Sequence, residues 1–287
     1  MMSLESTYLT NTPAQSVHAA LSFLHQASEL PYNYAYAPPN GTPWENYEAV
    51  QQEISISDAR YQSHAPSIDI EGYVLKDAPT SIRDFSNHDA IVARYYAEAA
   101  ELACAATGAT QAYVFDHLVR KRDASRELDF GRTTKGAAVS ANGRVHNDYT
   151  EQSGRKRLSL VFERLGQTPP HARYAIVNIW RSIKAPVLDT PLAVCDARSV
   201  NSTDLITAEV RYPQRTGEIY LVRHSSNQRW AYFSTMDRHE ALIFKQYDSQ
   251  MHGVARFTPH AAFIHPHAPA DAIPRESIEA RCLVVFE

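Results

Sequence analysis

From Gln111 onward the chain keeps returning to one pattern, a short apolar, β-branched or aromatic run closed by Gly, Pro, Asn, Asp or Ser. Such runs occupy residues 111–118, 174–183, 192–197, 217–224, 229–234, 241–247, 254–258 and 278–286. Each is short and bounded by turn residues, so each reads as a strand rather than a buried helix. A series of short strands behind a helical segment points to an antiparallel barrel or jelly roll with helical support. The helical segment is 89–107, where Ile91, Val92, Tyr95, Ala99, Leu102 and Ala106 recur near helical spacing and Gly108 supplies the stop. The expected fold class is therefore mainly β with helical support.

The first seventy residues read differently. A short helix is expected over 16–29, with Val17, Leu21, Phe23, Leu24 and Ala27 roughly on one side. The next stretch, 31–47, is dense in Pro, Gly, Asn and Tyr and suits a loop wrapped over a core. Its tyrosines are packing residues or part of a pocket wall. Residues 71–287 form the expected barrel domain, a length within the roughly 200–250 residues of single β-barrels. Residues 1–70 are its N-terminal wrapping segment, part of the same domain. Residues 120–144, polar and basic with three glycines, read as the mobile loop of the molecule.

Composition narrows the function classes. Hydrophobic residues at 44% and charged residues at 21% supply a sizeable core and exclude a disordered chain. Lys+Arg 28 against Asp+Glu 32 leaves a net charge of -4, which argues against nucleic-acid binding. No stretch reaches the ~18 apolar residues of a membrane-spanning helix. The opening residues have no basic n-region or apolar core, so no secretory signal is expected. The three cysteines, Cys104, Cys195 and Cys282, are far apart and odd in number, which fits a reducing, cytoplasmic setting. Cys195 and Cys282 lie in apolar runs and read as core residues. The 13 histidines invite a search for a metal site.

That search leads to His146-Asn147-Asp148, which directly follows the basic loop. In an extended chain residues i and i+2 point to one side, so His146 and Asp148 can bind one ion. A histidine from a distant strand would complete a two-histidine, one-carboxylate facial triad with open positions, the arrangement of non-haem Fe(II) oxygenases. His224, His239, His252, His260, His265 and His267 are downstream. His224 and His239 sit among turn residues, and His265 and His267 in a Pro/Ala-rich loop. His260 follows an apolar–polar alternation, 15 residues before Arg275 (275 − 260). Arg275 and Ser277 form an R-x-S pair leading into the last strand, suited to hold a carboxylate by a guanidinium fork and a hydroxyl.

With these residues in view, the chain resembles the fungal and bacterial hydroxylase/desaturase family related to gibberellin desaturase and the cephamycin methoxylation component CmcJ. That family is similar to Fe(II)/2-oxoglutarate-dependent oxygenases. The resemblance is carried by TSIRDF (80–85) with Tyr95 and Tyr96, VFDHLVR (114–120), VHNDYT (145–150), YAIVNIWR (174–181), PVLDTPLAVCDA (186–197), YDS (247–249), HAAFIHP (260–266) and RESIEARC (275–282). It covers about residues 70–287. It implies a double-stranded β-helix, a cupin-like jelly roll. It implies His146, Asp148 and His260 as iron ligands and 2-oxoglutarate as co-substrate. It makes Arg275 the leading anchor of the 2-oxoglutarate carboxylate with Ser277 assisting, and Arg281 the rival anchor because it shares strand parity with both. The partners it implies are O2 and a small-molecule substrate to be hydroxylated or desaturated. Ala261 and Ile264 depart from the hydroxyl and acid expected in relatives.

Further residues carry two readings. Asp116-His117 is a structural pair or support for the iron site. Asn178 and Trp180 share a strand face, and either can line the pocket. Tyr149 and Thr150 follow the ligand Asp and offer hydroxyls. Two other classes fit the same pattern: a metal-dependent hydrolase or isomerase on a cupin-like barrel, which needs no Arg275 anchor, and a jelly-roll binding module in which H-x-D is incidental.

Overall fold

The computed structural model describes residues 15–131 and 139–286. Among these, fourteen strands form two facing sheets. The strands are β1 (Ser16–Gln26), β2 (Tyr32–Tyr34), β3 (Glu48–Asp58), β4 (Tyr73–Asp77), β5 (Gln111–Lys121), β6 (His146–Asn147) and β7 (Tyr174–Ser182), then β8 (Leu192–Cys195), β9 (Leu205–Arg211), β10 (Thr216–Val222), β11 (Trp230–Tyr232), β12 (Glu240–Asp248), β13 (His260–Ala262) and β14 (Glu276–Val285). The larger sheet has the order β1-β3-β11-β8-β13-β6-β10-β9-β2 and the smaller β4-β12-β7-β14-β5. Two curled sheets, the larger carrying β6 and β13 at its middle, make the expected jelly roll.

Period-two alternation sorts the side chains. On β14, Ile278, Ala280, Cys282 and Val284 face outward with Val177 and Ile179 of β7, against Ile91, Tyr95, Ala99 and Ala103 of the helical segment. That segment starts as a turn at His88–Ala90, passes through a π-turn at Ile91–Tyr95 and continues as α1 (Tyr96–Thr107). It ends on Gly108, whose φ of 74° suits a residue without Cβ and whose N–H bonds the Cys104 carbonyl. The alternate residues of β14, Ser277, Glu279 and Arg281, point between the sheets. There Trp180, Leu242 and Phe244 of the smaller sheet meet Leu192, Val194 and Ala231 of the larger. A further helix, α2 (Glu151–Leu165), opens on the Thr150 cap with Ser153 completing a capping box.

The structure corrects several expectations. Residues 16–26 are a strand, not a helix: β1 pairs antiparallel with β3 from Ser16↔Ser57 to Gln26↔Glu48. Its buried Val17, Ala19, Leu21 and Phe23 pack with Ile54 and Ile56 of β3 on Val145, Ala193, Trp230, Ala261 and Phe263. Among the described residues of the first seventy, three strands join the larger sheet, with β3 running parallel to β11 and β2 to β9. Residues 254–258 are not a strand. Their backbone donors go singly to other partners, Ala255 N–H to the Asp69 carbonyl and Thr258 N–H to Asn147 Oδ1. Of the expected loop 120–144, residues 132–138 lie outside the described residues. The remainder makes isolated bridges such as Arg120↔Val139 and Phe130↔Asn142.

Candidate iron and co-substrate site

His146 on β6 and His260 on β13 are direct partners in register, so their side chains leave the same face of the larger sheet. Their ring centroids are 4.3 Å apart. Asp148 follows β6 and returns to that face, with Oδ1 3.4 Å from His146 Nε2. One ligand atom from each of His146, Asp148 and His260 lies within 4.8 Å of the other two. His146 and His260 are 5% and 3% exposed.

The hydrogen bonds fix which atoms face inward. His146 Nδ1 lies 2.7 Å from the Arg144 carbonyl and His260 Nδ1 3.3 Å from the Thr258 carbonyl. A carbonyl only accepts, so each Nδ1 carries the proton and each Nε2 presents a lone pair. Burial, reinforced by His146, pushes His260 down to about 3, so its imidazole is neutral. Burial alone would raise the Asp148 carboxyl, but Arg281, His146 and His260 hold it well below the usual carboxylate range. Two imidazole nitrogens and a carboxylate oxygen therefore converge on one point, a donor set that suits a divalent cation.

Asn147 and Gln246, both fully buried, hold the two ligand-bearing segments together. Asn147 Nδ2 donates to the Tyr149 and Gln246 carbonyls, while its Oδ1 accepts from Thr258 N–H. Gln246 Oε1 accepts from Asp148 N–H at 2.7 Å, and its Nε2 donates to the Thr258 carbonyl.

The second half of the site is on the facing sheet. Arg275 is 3% exposed; its Nη1 donates to the Thr190 carbonyl and its guanidinium lies 5.5 Å from the Trp180 ring centroid. Arg275 Nε and Ser277 Oγ are buried with no hydrogen-bond partner. Burial, with Arg120 nearby, pushes Arg275 down to about 9, still cationic at neutral pH. A buried cation beside an unpaired hydroxyl fits a carboxylate that is not part of the chain. Arg281 differs: its three nitrogens donate to Asp148 Oδ2, Asp116 Oδ2 and Glu279 Oε1 at 3.0, 3.0 and 2.9 Å.

Comparison with known proteins decides the class. The family model described as oxidoreductase/YMDC permease-like domain matches residues 21–285. The hydroxylase/desaturase efuI of Hormonema carpetanum is 32% identical over 257 residues, covering 82% of this chain and 84% of that protein. The Fe(II)/2-oxoglutarate-dependent dioxygenase nvfI of Aspergillus novofumigatus is 31% identical over 261 residues, covering 88% and 89%. The chain belongs to this hydroxylase/desaturase family of Fe(II)/2-oxoglutarate-dependent dioxygenases. The solved structure of the iron and alpha-ketoglutarate-dependent endoperoxidase NvfI superposes on the oxygenase with a TM-score of 0.81 at 27% identity, covering 95% of this chain and 98% of that one. Membership sets aside the hydrolase and binding-module readings. Among the described residues no helix is long and apolar enough to cross a membrane.

The other expected residues divide. Asn178 reaches the site, donating from Nδ2 to Asp148 Oδ2 at 2.8 Å. Trp180 lies in the core between the sheets, against Arg275. Asp116 supports the site through Arg281, whereas His117 faces away, stacked on His88 and bonded to Tyr96. Thr150 caps α2 and bonds Glu218, and Tyr149 packs with Val161 and Phe162 of α2. His224, His239 and His267 are exposed, as their turn and loop settings suggested. Cys195 and Cys282 are buried and unpaired.

Sequence reasoning missed Glu279, Gln246 and Asn142. Glu279 was detectable, since it shares β14 parity with Ser277 and Arg281. Gln246 sits at a register shift in β12 between Lys245 and Tyr247, which no pattern announces. Asn142 places Nδ2 3.3 Å from His146 Nε2, and its Oδ1 accepts from Arg144 N–H.

Proposed function

We propose that His146, Asp148 and His260 hold the Fe(II) of this oxygenase, and that Arg275 with Ser277 binds the distal carboxylate of 2-oxoglutarate. The observation that carries the reading is the convergence of the three ligand atoms within 4.8 Å, together with the buried, unpaired Arg275 Nε and Ser277 Oγ. Bound Fe(II) supplies O2 activation coupled to conversion of 2-oxoglutarate to succinate and CO2, with hydroxylation or desaturation of a small metabolite. The protein's part is positional. The Arg144 and Thr258 carbonyls orient the two imidazoles, Asn147 and Gln246 fix the spacing of the ligand segments, and Arg275 sets the direction from which the co-substrate enters. Phe244, 4.7 Å from His260 between ring centroids, and Phe130, 5.9 Å from His146, pack on the ligands and limit access of water. We place residues 1–70 in the same domain as the barrel, supported by the pairing of β1–β3 in the larger sheet. Three free cysteines support a reducing, cytoplasmic setting.

Anaerobic titration with Fe(II) and then 2-oxoglutarate tests the reading. The expected result is one iron per chain and a weak visible charge-transfer band that appears only with both. His146→Ala is expected to bind no stoichiometric iron. Succinate production by that variant at the wild-type rate would remove His146 from the ligand set.

A further inference from the structure

We propose that Arg281 and Asn178 are positioning residues that make Asp148 a one-oxygen ligand, by holding Oδ2 so that only Oδ1 is presented to the metal. This rests on the ligand reading above and assigns Arg281 to the metal rather than to 2-oxoglutarate.

The argument is one of lone-pair occupancy. A carboxylate oxygen has two in-plane acceptor sites. Asp148 Oδ2 receives Asn178 Nδ2 at 2.8 Å and Arg281 Nε at 3.0 Å, so both are filled. Oδ1 receives neither donor and faces His146 Nε2 at 3.4 Å, on the side where the imidazole lone pairs converge. The donors are themselves immobile. Asn178 is fully buried on the central strand β7 of the smaller sheet. Arg281, with 17% of its side chain exposed, has its other two nitrogens on Asp116 and Glu279. Turning Arg281 toward a co-substrate would break a contact to at least one of three carboxylates, whereas Arg275 has an unpaired nitrogen already. The Asp148 carboxylate, 12% exposed, is thus bound by two donors from the facing sheet before any metal arrives. Such partners orient a ligand and tune its affinity. They also couple the two sheets, because Asp148 directly follows β6 of the larger sheet while β7 and β14 of the smaller carry its supports.

The test uses Co(II) as a spectroscopic probe in the full chain after chelator treatment. Wild type is compared with Arg281→Gln, Arg281→Lys and Asn178→Ala. Arg281→Gln and Asn178→Ala are expected to bind Co(II) about 10–100-fold more weakly. Their d–d absorption should shift as Asp148 becomes free to bind through both oxygens. Arg281→Lys, which keeps the charge and one donor, is expected to recover part of the affinity. Binding of 2-oxoglutarate at saturating metal should change little. Thermal unfolding of the chelator-treated proteins separates lost affinity from lost fold, and if Arg281→Gln does not fold, Asn178→Ala decides. Wild-type Co(II) affinity and spectrum in the folded variants would overturn the inference. So would a defect confined to 2-oxoglutarate, which would make Arg281 the co-substrate anchor. Failure of wild type itself to bind Co(II) is a separate outcome and would overturn the ligand reading together with this one.

Discussion

Arg275 and Arg281 lie on one side of the last strand and its lead-in, and strand parity alone does not separate the leading carboxylate anchor, Arg275, from its rival, Arg281. What distinguishes the two guanidinium groups is their neighbours distant in the chain. Asp116 reaches Arg281 because β5 pairs with β14 at Arg281↔Asp116, immediately beside a register shift that no periodicity marks. By contrast the same-side placement of His146 with Asp148 and of Arg275 with Ser277 was legible, since both pairs exploit the i, i+2 geometry of extended chain. The prediction at this scale concerns Arg275. Replacing it with Met removes the buried cation and should raise the apparent KM for 2-oxoglutarate at least about 30-fold, a loss of about 2 kcal/mol or more. Arg275→Lys keeps charge but not the planar fork and should recover only part. Ser277→Ala should cost less than either severe change, about 1 kcal/mol for one neutral hydrogen bond. Steady-state kinetics with varied 2-oxoglutarate check the order. Iron binding without co-substrate should stay near wild type in all three, because none of them touches His146, Asp148 or His260.

Elements were legible where a run was both apolar and closed by turn residues, as for β7, β12 and β14. They were not legible where two periods fit the same residues. In β1, Val17, Leu21 and Leu24 match helical spacing, while Val17, Ala19, Leu21 and Phe23 match alternation; the ladder with β3 makes the second win, a tertiary override of helix-favouring alanines. The helix α2 has a different constraint, at Gly154. A Cβ there would lie 2.6 Å from Cγ and Cδ2 of Tyr247, which is 1% exposed and bonded through its hydroxyl to Glu151. The ring has nowhere to go, so α2 itself must move. Gly154→Ala is expected to destabilise the fold. Overpacking of about 1–3 kcal/mol outweighs a helix-propensity gain of about 1 kcal/mol. Urea denaturation should show a lower midpoint with an unchanged slope. A midpoint at or above wild type would mean that α2 packs less tightly on β12 than the structure shows.

At the scale of the whole molecule, the segment before β4 is fastened to the smaller sheet by charge. Lys245, with 1% of its side chain exposed, donates from Nζ to Asp69 Oδ1 at 2.6 Å and to Asp248 Oδ2 at 2.8 Å. Arg173 reaches the same two carboxylates at 3.1 and 2.7 Å. Two cations and two carboxylates balance, and Asp248 is fully buried among them. Burial alone would raise the Asp69 carboxyl, but Lys245 and Arg173 outweigh it and hold the group below its ordinary value of 3.8. A folded-state pKa below the unfolded one gives stability that is complete above the unfolded value and is lost as pH falls through the folded one. The oxygenase should therefore lose urea resistance on acidification from about pH 5 downward, with Asp69 contributing to the slope. Asp69 is 39% exposed at its side chain, so solvent screens the contribution. Asp69→Asn should start less stable at neutral pH and fall less steeply with acid, so that the two curves converge as the pH drops below the folded value of Asp69. Parallel curves across that range would show that Asp69 is not a source of the acid sensitivity. Lys245→Met should be the more damaging change, because it leaves the buried Asp248 with Arg173 as its one remaining cation among the described residues, and breaking such a buried pair costs about 3–5 kcal/mol.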